Sequence, residues 1–203
     1  MFGSKLTFGF LVLSAAFMEL AAREIILEFK GAYYRATHCP FKQIFHKGGA
    51  LFGPELTVQL STCHNWYGFA SVDYLSKKGT SIGLCNETKV HLVPLAFGLK
   101  YFMPIFFHDF YVGLGFQPTH VKTFDCSPYV ARHTSQWCFG GIAKFGTYID
   151  LPCTHWVLDL FVDYSFVKTR CPKICLPSTG PVVPIKTNIS GVIFGAGIGY
   201  SFD

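Results

Sequence analysis

After its first 22 residues this 203-residue chain has no apolar run long enough to cross a membrane as a helix. The longest candidate free of Asp, Glu, Lys and Arg, Thr187 to Phe202, is short and broken by Gly191, Gly195, Gly197 and Gly199, whereas a helical span needs about 20 residues. Elsewhere a charge interrupts, as Lys100 does between Val90 and Phe107. Charged residues are scarce at 14%, yet aromatics reach 17% and mean hydropathy is +0.34. Such values usually mark a multi-pass helical membrane protein. With helical spans excluded, the chain can live in a membrane only as strands.

The first residues look like an export leader. Lys5 supplies a positive start, Leu6 to Phe17 a short apolar core, and Leu20, Ala21 and Ala22 small residues suited to cleavage. Removal of residues 1–22 is expected, leaving residues 23–203 as one transmembrane β-barrel domain.

Eight segments alternate in the way a lipid-facing strand requires, apolar outward and anything tolerated inward. They run over Glu24 to Ala36, Gly49 to Leu60, Trp66 to Leu75, Val90 to Tyr101, Phe110 to Thr119, Trp137 to Ile149, Trp156 to Phe166 and Asn188 to Phe202. The seventh is the cleanest. Trp156, Leu158, Leu160, Val162, Tyr164 and Phe166 share one parity, while Val157, Asp159, Phe161, Asp163 and Ser165 share the other. All the mid-strand charges, Glu28, Lys30, Glu55, Asp73, Lys100, Lys144, Asp159 and Asp163, fall on the inward parity. A Lys or Arg on the lipid side would cost about 2–4 kcal/mol at mid-bilayer, which explains the segregation. Five acids and three bases then form a salt-bridge network in the lumen, a structural role in place of a catalytic one. Tyr33, Tyr34, Trp66, Tyr74, Tyr101, Phe110, Trp137, Trp156, Tyr164 and Tyr200 lie near segment ends, as interfacial aromatic girdles do. The expected fold is therefore all-β, an eight-stranded antiparallel up-and-down transmembrane β-barrel.

The run from Gly195 through Ile198, Tyr200 and Phe202 resembles the terminal strand of bacterial outer-membrane proteins, with Asp203 as a one-residue departure. With the leader and the alternation, the whole mature chain resembles the small eight-stranded outer-membrane barrels, similar to the OmpA transmembrane domain and the opacity-type surface proteins. The resemblance implies a Gram-negative outer-membrane location and recognition by the barrel-assembly machinery.

If both termini lie in the periplasm, Thr37 to Gly48, Ser76 to Lys89, His120 to Gln136 and Val167 to Thr187 become surface loops. Ser61 to Asn65, Phe102 to Asp109 and Asp150 to His155 become inner turns. The surface loops hold eleven bases, Lys42, Lys47, Lys77, Lys78, Lys89, Lys122, Arg132, Lys168, Arg170, Lys173 and Lys186, against Glu87 and Asp125, a balance of +9. Such a rim would lie over lipid phosphates and attract lipopolysaccharide or host polyanions. No basic helix or aromatic platform accompanies the charge, so nucleic acid is not an expected partner.

Eight cysteines in an exported protein meet an oxidising compartment. Cys39, Cys85, Cys126, Cys138, Cys171 and Cys175 map to the outer side as candidate disulfides; Cys126 and Cys138 could close the third loop, and the other pairings are open. Cys63 and Cys153 map to inner turns on opposite sides of a ring roughly 16 Å across, beyond the ~6 Å between α-carbons of a disulfide. They either stay reduced or bond to other envelope proteins. The same separation argues against a zinc site from Cys63, His64, Cys153 and His155, and Cys171 and Cys175 lack zinc-knuckle spacing. No metal or other cofactor is expected.

Because side chains fill an eight-stranded interior, a diffusion pore is not expected. The leading reading is a non-enzymatic surface barrel. A lipid A modifying acyltransferase or deacylase is the alternative, with His120, His133, Ser127 and Ser135 on offer but no recognised spacing among them. A third reading, a soluble barrel holding an apolar ligand, would require the apolar parity to face inward.

Overall fold

The structure is a computed structural model and describes residues 24–37, 48–61, 64–80, 87–105, 108–125, 133–152, 154–170 and 186–202. Its strands are β1 (Ile25–Ala36), β2 (Gly49–Gln59), β3 (Trp66–Val72), β4 (Leu75–Thr80), β5 (Glu87–Ile105), β6 (His108–Phe116), β7 (Thr119–Asp125), β8 (His133–Asp150), β9 (Trp156–Arg170), β10 (Lys186–Asn188) and β11 (Gly191–Phe202). Three pairs are single staves with an interruption. β3 and β4 break at Asp73, β6 and β7 at Gln117 and Pro118, and β10 and β11 at Ile189 and Ser190. At the second break Pro118 brings no N–H to the ladder.

Counted as staves, eight strands run antiparallel, each paired with its neighbours in sequence, and β1 pairs with both β2 and β11. That last pairing, Ile25 with Phe202 through to Ala36 with Gly191, closes the ring and leaves no free edge. The chain is an all-β, eight-stranded antiparallel barrel. Among the described residues no helix is long and apolar enough to cross a membrane.

Period-2 alternation produces two unlike surfaces. In β1 Leu27, Phe29 and Tyr33 are exposed on the outside, while Ile26, Glu28, Lys30 and Tyr34 are buried inside. In β9 Leu160, Val162 and Phe166 are exposed between buried Asp159, Phe161, Asp163 and Ser165. Leu114, at 72%, is the most exposed of the large outward hydrophobics among the described residues. A soluble barrel holding an apolar ligand would show the reverse arrangement.

Glycine on β11 makes room for charge on β1. Gly199 lies opposite Glu28 and Gly197 opposite Lys30, and a Cβ at Gly199 would come within 2.9 Å of Glu28 Cβ and 3.1 Å of Val157 Cγ2. Gly199→Val is therefore expected to lower stability by about 1–3 kcal/mol through overpacking. The midpoint of urea unfolding in lipid vesicles measures it.

The staves are longer than the alternation predicts. Ser76 to Thr80, Glu87 to Lys89, His120 to Asp125, His133 to Gln136 and Val167 to Arg170 are strand, not loop. The physical reason is that a strand hydrogen-bonded to its neighbours keeps its ladder where the apolar alternation has ended. Tyr34 needs correction as a girdle residue: it faces inward and donates its hydroxyl to the Ile189 carbonyl.

Candidate functional site

Three layers of side chains fill the barrel. At the end holding the termini, Tyr67, Phe102, Tyr111 and Tyr148 form a floor, with Phe102 centroids 4.5, 5.5 and 5.2 Å from those of the three tyrosines. At the far end Leu51, Leu75, Leu92, Val167, Ile189 and Ile193 converge. The cavity among them is about 20 Å³, room for roughly one water.

Between these apolar layers lies the charge network. Glu55 of β2 is its hub, with its carboxylate 3.0 Å from Lys30 Nζ, 2.5 Å from Lys100 Nζ and 2.8 Å from Lys144 Nζ. Lys30 also meets Asp159 at 2.9 Å and Glu28 at 3.3 Å, and Lys144 meets Asp163 at 2.9 Å. Neutral donors complete the shell: Tyr148 donates to Glu28 and Tyr111 donates to both Asp159 oxygens. Lys100 donates to Thr57 and to the Tyr148 hydroxyl and lies over the Tyr111 ring. Glu28 stands directly opposite Glu55 in the β1–β2 register, a like-charge pairing that destabilises a bare sheet. Lys30 and Lys100 each contact both carboxylates and relieve it. Burying so many charges is tolerable only when each is paired or hydrogen-bonded.

Seven of the eight inward charges named from the sequence are thus gathered into one cluster. Asp73 lies inward, beside Gly53 at the β3–β4 break, and joins no ion pair among the described residues. Sequence reasoning missed the tyrosine floor. Its signal was present, because Tyr148 shares parity with Lys144 and Tyr111 with Gly113.

The basic residues divide differently from the loop expectation. Lys77 and Lys78 lie on β4, Lys89 on β5 and Lys122 on β7, as parts of the wall. Lys168 and Arg170 lie on β9. Lys42, Lys47, Arg132 and Lys173 fall outside the described residues. So do Cys39, Cys63, Cys85, Cys126, Cys153, Cys171 and Cys175. Cys138, within the expected segment Trp137 to Ile149, sits in β8 opposite Thr119 and is buried toward the interior. Of the residues offered for ester chemistry, Ser127 lies outside the described residues, and His120 Nε2 and Ser135 Oγ come within 2.9 Å on the outside of the far end. No carboxylate hydrogen-bonds His120 among the described residues.

No protein-family model and no curated protein matches the chain. Solved structures do. A major outer membrane protein from Thermus thermophilus aligns with a TM-score of 0.59 and 11% identity, covering 89% of this chain and 100% of that one. The E. coli outer membrane protein W gives 0.58 and 14%, with 89% and 98% covered. Ail, the attachment invasion locus protein of Yersinia pestis, solved with the heparin analogue sucrose octasulfate, gives 0.55 and 13%, with 89% and 99% covered. At these identities the likeness is one of fold, and the fold is that of the small outer-membrane β-barrels.

Proposed function

We propose that the protein is a surface-exposed barrel of a Gram-negative outer membrane, inserted after removal of residues 1–22, whose interior carries no solute and whose basic far end meets polyanions. One observation supports this most: the outer wall is a continuous apolar belt, while the charges lie in a lumen closed at both ends by apolar side chains. The belt has the right height. The outward residues of β5 run from Met103 to Val93, ten positions that at ~3.3 Å each and ~40° tilt span about 25 Å. Aromatic pairs flank it, with Trp66 against Tyr101 and Trp156 against Tyr200 at the terminal end and Tyr33 against Phe194 at the other.

The barrel-assembly machinery is the partner that would insert such a chain, and lipopolysaccharide is the polyanion that its far end would meet first. The inner-turn cysteines Cys63 and Cys153 remain candidates for bonds to other envelope proteins.

Refolded into vesicles, the protein is expected to show heat-modifiable gel mobility with a β-type circular dichroism spectrum. The vesicles are expected to retain a small trapped dye. Unchanged mobility removes the barrel reading, and rapid dye release removes the closed interior. The 2.9 Å His120–Ser135 contact favours one alternative, a barrel that cleaves acyl esters of outer-leaflet lipid. Fatty acid release from lipid A by the refolded protein, abolished by Ser135→Ala, would establish that activity in place of the non-enzymatic reading.

A further inference from the structure

The outside of the far end is not uniform. Climbing β5, the β6–β7 stave and β8 from mid-wall, the outward rows read Phe97 with Phe116, then Leu95, then Val93 with His120 and Trp137, then His91 with Lys122 and Ser135. Successive positions on one face are two residues, or ~6.6 Å, apart, so the wall changes from apolar at Leu95 to polar and basic at His91 over two steps, about 13 Å along the strand. At that boundary Tyr74, His91, Val93, His120, Lys122 and Phe124 line an open pocket of about 310 Å³.

The pocket has the chemistry of a phosphate site laid against hydrocarbon. It is lined by one lysine, two imidazoles and a phenol, with no carboxylate. Lys122 is exposed and joins no ion pair among the described residues. Its rings are held in place by neighbours. The Tyr74 hydroxyl is 2.8 Å from His91 Nδ1, which leaves Nε2 of that ring for another partner. His120 is fixed by Ser135 and by the Trp137 ring, whose centroid is 4.8 Å away. Lys78 and Lys89, opposite one another in the β4–β5 register, place further positive charge one row above.

We propose that this face, formed by β4, β5, β7 and β8, binds the phosphorylated headgroup of an outer-leaflet lipid. Lys122 and His91 take the phosphate oxygens by charge-assisted or neutral N–H donation, and Trp137, Tyr74 and Val93 lie along the first carbons of the acyl chains. The inference rests on the membrane reading above and deepens it: the polyanion is a lipid held sideways at the wall, not a soluble polymer held at loop tips. Position decides between these sources. The pocket opens on the belt side of the wall, directly above apolar rows, where a lipid headgroup already lies and a hydrated polymer does not.

The test uses bisphosphorylated lipid A as probe, titrated into the detergent-folded barrel and read by native mass spectrometry, with heparin binding as the soluble arm. Lys122→Gln combined with His91→Gln is expected to weaken lipid A binding roughly tenfold and to leave heparin binding unchanged. Arg35→Gln, an exposed base on β1 across the ring, is expected to bind lipid A as the parent does. Undiminished lipid A binding by the double variant overturns the inference, and so does a parallel loss of heparin binding. Heat-modifiable mobility is recorded on every sample. A parent protein that fails to form the barrel overturns the membrane reading and this inference together, whereas a folded barrel with an indifferent double variant overturns this inference alone.

Discussion

Glu55→Ala is expected to cost about 3–5 kcal/mol of folding free energy, the penalty for breaking a buried ion pair by removing one partner. Glu55 is the acid for three lysines at once, at 3.0, 2.5 and 2.8 Å. Once it is gone, Lys30 still has Asp159 and Glu28, and Lys144 still has Asp163. Lys100, fully buried, keeps only Glu28 at 3.6 Å among the acids of the described residues. The loss should therefore fall mainly on Lys100. Removing Lys100 as well should restore part of the stability, so that the double variant loses less than the sum of the two single losses. Urea titration in phospholipid vesicles gives all three values. Strict additivity would mean that the two groups do not depend on each other.

The second large effect lies on the other side of the same wall. Leu160→Lys should destabilise the inserted barrel by about 2–4 kcal/mol, because Leu160 stands midway between the Trp156 and Phe166 ends of the β9 belt. The same substitution at Phe166 should cost no more than about 1 kcal/mol, since a lysine near the interface reaches water. Equal costs at the two depths would contradict a bilayer around this strand. Together the two experiments separate the faces: an inward carboxylate that cannot be removed and an outward leucine that cannot be charged.

The faces were legible in the sequence because the penalty for misplacing a charge is large and repeats every second residue. In β9 Asp159 and Asp163 alternate with Leu158, Leu160 and Val162, and no other placement avoids putting carboxylates in hydrocarbon. The charge network was legible as a set but not as a wiring diagram. Which lysine meets Glu55 depends on strand register and on side chains crossing the lumen, and Lys100 on β5 is far from β2 in sequence. The β1–β2 register even sets Glu28 against Glu55, a pairing that local rules would reject without the lysines from other strands. The far ends of the staves were illegible for the opposite reason. Along Ser76, Lys77 and Lys78 polar residues occupy both faces, and at His120 and Lys122 the outward face itself turns polar, so hydropathy reads loop while the neighbouring strand still supplies hydrogen bonds. That reading hid the lipid-facing pocket, because Tyr74, His91 and Val93 fall in two expected strands while His120, Lys122 and Phe124 fall in an expected loop.

The most direct test uses the three tryptophans, Trp66, Trp137 and Trp156, all of which stand outward at the edges of the belt. In vesicles made with brominated phospholipids their emission should be quenched, more strongly by bromine near the glycerol end of the chain than by bromine at its tip, and aqueous acrylamide should quench little. Emission indifferent to brominated lipid and readily quenched by acrylamide would show that the aromatic edges face water, and the outward belt would then have no bilayer to meet.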